Sequence, residues 1–99
     1  MKTLLVGKVG EVTTGIRQGF RVNVLKLELP KRDGGSYRWG IDLAADVDVS
    51  KLTPGALVYV VAQPNPWVGK DKKAVMSFNY ARVFDDASAK AAVQYAAEA

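Results

Sequence analysis

The chain lacks cysteine and histidine altogether and has two methionines and two tryptophans in 99 residues. Without cysteine there is no disulfide, no thiolate nucleophile and no thiolate zinc site. Without histidine the commonest general base and the commonest metal ligand are missing. Long apolar runs are missing too. Met1-Lys2-Thr3-Leu4-Leu5-Val6-Gly7 is apolar only briefly and breaks at Gly7-Lys8, too early for a signal peptide. Nothing approaches the about 20 apolar residues of a membrane-spanning helix. These absences demote catalysis and predict a soluble cytoplasmic protein with no membrane partner. There is no internal repeat and no linker between two domains.

What is present begins with charge. Fourteen Lys plus Arg stand against ten Asp plus Glu, a formal net charge of +4. A basic excess favours an anionic partner without naming it. The length fits one domain that buries roughly 60–70% of the surface its unfolded chain would expose.

The pattern is one of strands punctuated by turns. Leu4 to Val12 is the first apolar run, followed by loop signals at Thr13-Thr14-Gly15 and Gln18-Gly19. Phe20 to Leu29 is the second. Its apolar positions are even up to Val24 and odd from Leu25, which predicts a bulge or sharp coil at Val24-Leu25. Pro30-Lys31-Arg32-Asp33-Gly34-Gly35 reads as a hairpin turn. In the third run, Ser36 to Ala44, Tyr37, Trp39, Ile41 and Leu43 share one face, and Arg38, Gly40 and Asp42 the other. Asp48 or Ser50 starts a short helix or turn, Leu52 packs inward, and Thr53-Pro54-Gly55 ends the segment. Ala56 to Ala62 is the fourth run, apolar on both faces. Pro64 to Lys73 reads as a long, stiffened, basic hairpin loop. Ala74 to Phe84 is the fifth run, with Met76, Phe78 and Tyr80 alternating against Ser77, Asn79 and Ala81. From Asp85 an Ala-rich helix follows, capped by Asp85, Asp86 or Ser88. A dozen such residues are marginal as a helix in water, so this one either packs or frays.

The expected fold is therefore all-β: a five-stranded Greek-key OB-fold barrel over residues 1–86, with a short C-terminal helical tail over 87–99. In that fold the binding face lies on strands 2 and 3, flanked by the 1–2 and 4–5 loops.

Leu4-Leu5-Val6-Gly7-Lys8-Val9-Gly10 resembles the first strand of bacterial and phage single-stranded-DNA-binding proteins. Lys51-Leu52-Thr53-Pro54-Gly55-Ala56-Leu57-Val58-Tyr59-Val60 resembles that family's entry to strand 4. Trp39 in strand 3 and Trp67 in the 4–5 hairpin fall where the family carries tryptophans. The resemblance spans roughly residues 3–84, and the primosomal replication proteins, which share the barrel, are a close second. Two further stacking positions of the family hold Pro30-Lys31 and Ala45 here. The family's acidic, aromatic tail tip has no counterpart in Gln94-Tyr95-Ala96-Ala97-Glu98-Ala99. The small size and lack of an acidic tip suggest a compact or phage-type member. The resemblance implies binding of single-stranded DNA with little sequence preference during replication, recombination or repair. It also implies a homo-oligomer, dimer or tetramer, since one barrel covers roughly 4–16 nucleotides.

Such binding needs flat side chains for bases and cations for phosphates. Trp67 and Trp39 are the expected stackers. Tyr37 and Arg38 neighbour Trp39, and only one of them can point into the groove with it. Lys70, Lys72 and Lys73 charge the 4–5 hairpin. Arg17 and Arg21 flank the 1–2 loop, Lys31 and Arg32 sit at the 2–3 tip, and Lys8 matches the basic position of strand 1. Phe78, Tyr80, Phe84, Val58 and Val60 are expected in the core or a subunit interface. Asp42, Asp46 and Asp48 form an acidic region expected to face away from DNA. They are also the best Mg²⁺ ligands on offer, but turn and cap chemistry accounts for them. No nucleophile–base pair is visible, so the expectation is a non-enzyme without metal or cofactor. The alternative is an OB module that binds another protein, as a primosome or phage assembly factor would.

Overall fold

The computed structural model describes residues 2–98; Met1 and Ala99, at the outer bounds of the expected domain and tail, lie outside it. Five strands are present: β1 (Thr3–Arg17), β2 (Phe20–Pro30), β3 (Ser36–Asp42), β4 (Leu57–Val68) and β5 (Ala74–Asp85). They form one antiparallel sheet in the order β3-β2-β1-β4-β5, followed by helix α1 (Ala89–Ala97). The sheet curls until its two edge strands meet at a single parallel bridge, Leu43 to Ala81. There the Ala44 amide donates to the Ala81 carbonyl at 2.9 Å. This is the OB arrangement left partly open: beyond that bridge β3 and β5 have no shared ladder among the described residues.

The core follows from alternation. Val9, Leu25, Leu27, Ile41, Val58, Val60 and Ala81 point inward and are almost wholly buried. Leu25, Leu27 and Leu29 lie opposite Ile41, Trp39 and Tyr37, so β2 and β3 contribute one continuous inner face. Gly7 is fixed by this packing: a Cβ there would lie 2.4 Å from the Glu28 carbonyl oxygen.

The expected bulge at Val24-Leu25 is instead in β1, between Val9 and Glu11, and β2 runs without interruption against β3. Val24 and Leu25 are nonetheless both buried. Leu25 enters the core, whereas Val24 lies on the outer face between its register partners Thr13 and Asp42. The slip in β2's pattern thus records burial on two faces, not a kink.

Two expected loops are strands. β1 continues through Arg17, and only Gln18 and Gly19 turn the chain, both at positive φ as a type I′ hairpin requires. β4 likewise continues through Pro64 and Pro66 to Val68. β1 stops pairing with β4 at Ala62, so beyond it β4 has one neighbour only. Proline is tolerated on such an edge, where its missing N–H costs no ladder bond.

The segment after β3 behaves as its sequence suggests. Asp48 accepts from the Ser50 amide at 3.1 Å and from its hydroxyl at 2.6 Å, capping a one-turn 3₁₀ helix. Leu52 packs against the core, and Gly55, at φ +85°, ends the turn. The Gly55 amide donates to the Val9 carbonyl at 2.7 Å, docking the turn beside the β1 bulge. Asp85 caps the 3₁₀ turn that leads into α1, accepting from the Ser88 amide at 2.9 Å. The helix packs against β4, β5 and β1: Ala92 is fully buried, and the Tyr95 ring lies 5.9 Å from that of Phe84. No helix is long and apolar enough to cross a membrane among the described residues.

Candidate nucleic-acid interface

The strand directions decide which candidates meet. The β1–β2 hairpin leaves one end of the barrel, and the β2–β3 turn and the β4–β5 hairpin leave the other. The two hairpins at that second end are built alike. In one, the Lys31 amide donates to the Gly35 carbonyl at 2.8 Å; in the other, the Gly69 amide donates to the Lys73 carbonyl at 3.0 Å. Each encloses three residues, the last at positive φ: Gly34 at +90° and Lys72 at +63°. Each has an aspartate folded onto the turn, Asp33 accepting from the Gly35 amide at 3.0 Å and Asp71 from the Lys73 amide at 3.2 Å. The acids are thereby occupied with backbone, and the tips present Lys31, Arg32, Lys70, Lys72 and Lys73, all exposed. None of these five forms an ion pair with another described residue.

Between the hairpins lies an aromatic ladder. Tyr37 and Trp39, on the inner face of β3, have ring centroids 6.2 Å apart. The Trp39 ring meets Phe78 of β5 edge-on at 5.3 Å. Phe78 is buried and Trp39 half-buried, but Tyr37 is 41% exposed. The apolar surface continues along the β4–β5 hairpin. Pro64, Pro66 and Val68 lie opposite Phe78, Met76 and Ala74, so all six share one face. Pro66, Val68 and Met76 are exposed on it. On this side of the Leu43–Ala81 bridge β3 and β5 share no ladder among the described residues, and we call the unpaired gap between them the cleft. Its base is the Trp39–Phe78 contact, its walls are apolar, and its two hairpin tips are basic.

The structure thus brings together Tyr37, Trp39, Lys31, Arg32, Lys70, Lys72 and Lys73. Trp67 is on the same hairpin but on its other face, with Ser77 and Val75. Its indole N–H donates to the Ser77 hydroxyl at 2.7 Å, which fixes the ring while leaving the residue 49% exposed. Four candidates are elsewhere. Arg38 points to the outer face, where Glu28 holds its guanidinium at 3.0 Å and Glu11 approaches to 3.6 Å. Tyr37, not Arg38, is the neighbour that shares the face of Trp39. Arg17 and Arg21 lie at the opposite end of the barrel, and Arg17 is bound twice by Asp42, at 2.9 and 3.0 Å. Lys8 is exposed on the outer face of β1, opposite Leu57.

The acidic region is dismantled by its own contacts. Asp42 pairs with Arg17 and Asp46 with Arg82 at 3.0 Å, while Asp48 caps its turn. The Arg82 hydrogen bond holds the Asp46 carboxyl below its ordinary pKa, and hydrogen bonds from Ser50 do the same for Asp48. Arg82 is raised in turn, first by Asp46 and then by the Tyr95 hydroxyl.

Pro66 and Val68 were not placed on the face of Met76 and Phe78 by the sequence because 64–73 reads as loop. The signal was the turn chemistry of Gly69-Lys70-Asp71-Lys72-Lys73, which mirrors Lys31-Arg32-Asp33-Gly34-Gly35. Treating 64–78 as a hairpin about it puts the prolines and Val68 on the face of Met76 and Phe78. Tyr80, expected in the core or an interface between subunits, is 68% exposed. A bulge in β5 displaces it, since Ala62 alone lies opposite both Tyr80 and Ala81 where the register shifts between Val61 and Gln63. Ala81 takes the inward position.

The fold and the site together define a five-stranded, partly open OB barrel with an aromatic cleft between two basic hairpins. No family model, curated protein or solved structure matches the chain.

Proposed function

We propose that the protein is a non-enzymatic binder of single-stranded nucleic acid, DNA in the first instance, with little sequence preference. The observation that carries this reading is the cleft: a run of contacting aromatics between two hairpins whose tips bear five cations free of ion pairs. Unpaired bases stack on aromatic faces whatever their identity, and the phosphates then fall within reach of the flanking cations. A duplex keeps its bases stacked on one another and offers nothing to Tyr37 or Trp39. The reading carries with it the cytoplasmic location, the homo-oligomer and the role in replication, recombination or repair that the family resemblance implies. Binding of this kind requires no metal or cofactor.

One feature favours the alternative, a protein-binding module. The facing edges of β3 and β5 are unpaired along the cleft, and an extended peptide could add to either as a strand. Cations at both lips favour the polyanion. Tryptophan fluorescence distinguishes the two. Titrating with oligo-dT, oligo-rU and duplex at low salt is expected to quench Trp67 and Trp39 with single strands and far less with duplex. Trp39→Ala is expected to lose most of the quench and to weaken binding, and Trp67→Ala, on the hairpin's other face, to lose less. No quench and no mobility shift with any nucleic acid would overturn the reading in favour of a protein partner.

A further inference from the structure

Three described non-glycine residues have positive φ: Gln18, Lys72 and Tyr80. The first two are required by hairpin turns. Tyr80, at φ +52°, lies inside β5 where no turn demands it. A bulky side chain in the left-handed region is an outlier, and such strain persists only where the surroundings impose it. Here the β5 bulge imposes it, and glycine is the residue that bulges of this kind prefer at the left-handed position. The neighbouring residue carries a second cost. The Oδ1 atom of Asn79 is buried without a hydrogen-bond partner. Buried polar atoms are nearly always satisfied, so two unfavourable features on consecutive residues need a common reason.

Position supplies one. Tyr80 immediately precedes Ala81, which bridges Leu43 and so marks where β3 and β5 part. It also follows Phe78, the base of the aromatic ladder, by two residues. The bulge therefore turns an aromatic ring out to solvent, 68% exposed, at the closed end of the cleft, where regular alternation would have buried it.

Resting on the single-strand reading above, we infer that Tyr80 is a stacking platform for a nucleobase, held outward by the bulge. A base stacked there belongs to the same strand whose phosphates meet Lys70, Lys72 and Lys73.

The test sets stability against affinity. Tyr80→Gly removes the ring and suits the backbone, so its melting temperature is expected to rise by about 4–8 °C. Its affinity for oligo-dT is expected to fall about tenfold, with the salt dependence unchanged, because a stack and not a phosphate contact is lost. Tyr80→Phe keeps the ring and is expected to bind as wild type does. Unchanged affinity in Tyr80→Gly, with weaker binding in Tyr37→Ala, would overturn the inference and leave the cleft reading standing. Absence of oligo-dT binding by the wild-type protein would overturn both. Should Tyr80→Gly fold less stably than wild type, the premise of strain, and the inference with it, would fail.

Discussion

Lys72 and Gly34 occupy the same place in two equivalent turns, yet one has a side chain and the other does not. A non-glycine residue in the left-handed region costs about 1 kcal/mol or more. Lys72→Gly is therefore expected to stabilise the protein by about 1 kcal/mol in urea unfolding, and Gly34→Ala to destabilise it by a similar amount. That a lysine is kept at the strained position fits a use for its charge. Lys72→Gly should accordingly lower the salt slope of oligo-dT binding by about 0.7, one phosphate's share. At the same scale, Asp46 and Asp48 have carboxyls whose folded pKa is depressed. A depressed carboxyl contributes stability above its unfolded pKa and loses it as pH falls through the folded one. Both groups are exposed, so the loss is small and confined to pH below the ordinary carboxylate range. Urea midpoints measured from neutral to strongly acidic pH should show it, and Asp46→Asn should remove part of it.

The strands and helix show which parts of the fold a sequence can disclose. Runs of alternating residues between strong turn signals are legible, and β2, β3 and the turn joining them lie where Asp33-Gly34 and the Tyr37-Trp39-Ile41 pattern place them. The outer halves of the strands in the β1–β2 and β4–β5 hairpins were hidden because both leave the barrel body. There no core enforces alternation, and Thr, Gly, Pro and Asn compose strands that read as loop. The bulge in β1 was hidden by Gly10, a residue equally at home in a regular strand. That in β5 was hidden because nothing in Asn79-Tyr80-Ala81 distinguishes a bulge from continued alternation. The site was legible to the same degree. Its cations and its two β3 aromatics were identified by residue type, whereas the ion pairs that occupy Arg17 and Arg38 depend on long-range register. Two predictions belong to this scale. Gly7→Ala drives a methyl group against the Glu28 carbonyl in a backbone held by pairing, and is expected to destabilise the fold by about 1–3 kcal/mol in urea unfolding. Ala92→Glu puts a carboxylate where α1 seats on the sheet. It should lower the melting temperature sharply, with circular dichroism showing loss of helix before loss of strand.

For the molecule as a whole, charge is sorted by the ends of the barrel. On the outer face Arg17, Arg38 and Arg82 are matched with Asp42, Glu28 and Asp46. At one end two hairpins present cations whose neighbouring aspartates are committed to turns. The net charge of +4 is thus not diffuse. Lys31, Arg32, Lys70, Lys72 and Lys73, free of ion pairs, border an aromatic cleft that a partly open barrel leaves uncovered, while Lys8 and Arg21 lie elsewhere. The measurement that tests this most directly is the salt dependence of oligo-dT affinity, by fluorescence anisotropy, for the wild type and for a Lys70→Ala/Lys72→Ala/Lys73→Ala variant. If about four of the five cations engage phosphates, the wild-type log–log slope is about −3, and the variant's is shallower by about 2. Wild-type binding with no salt slope, or a variant whose slope is unchanged, would contradict the account.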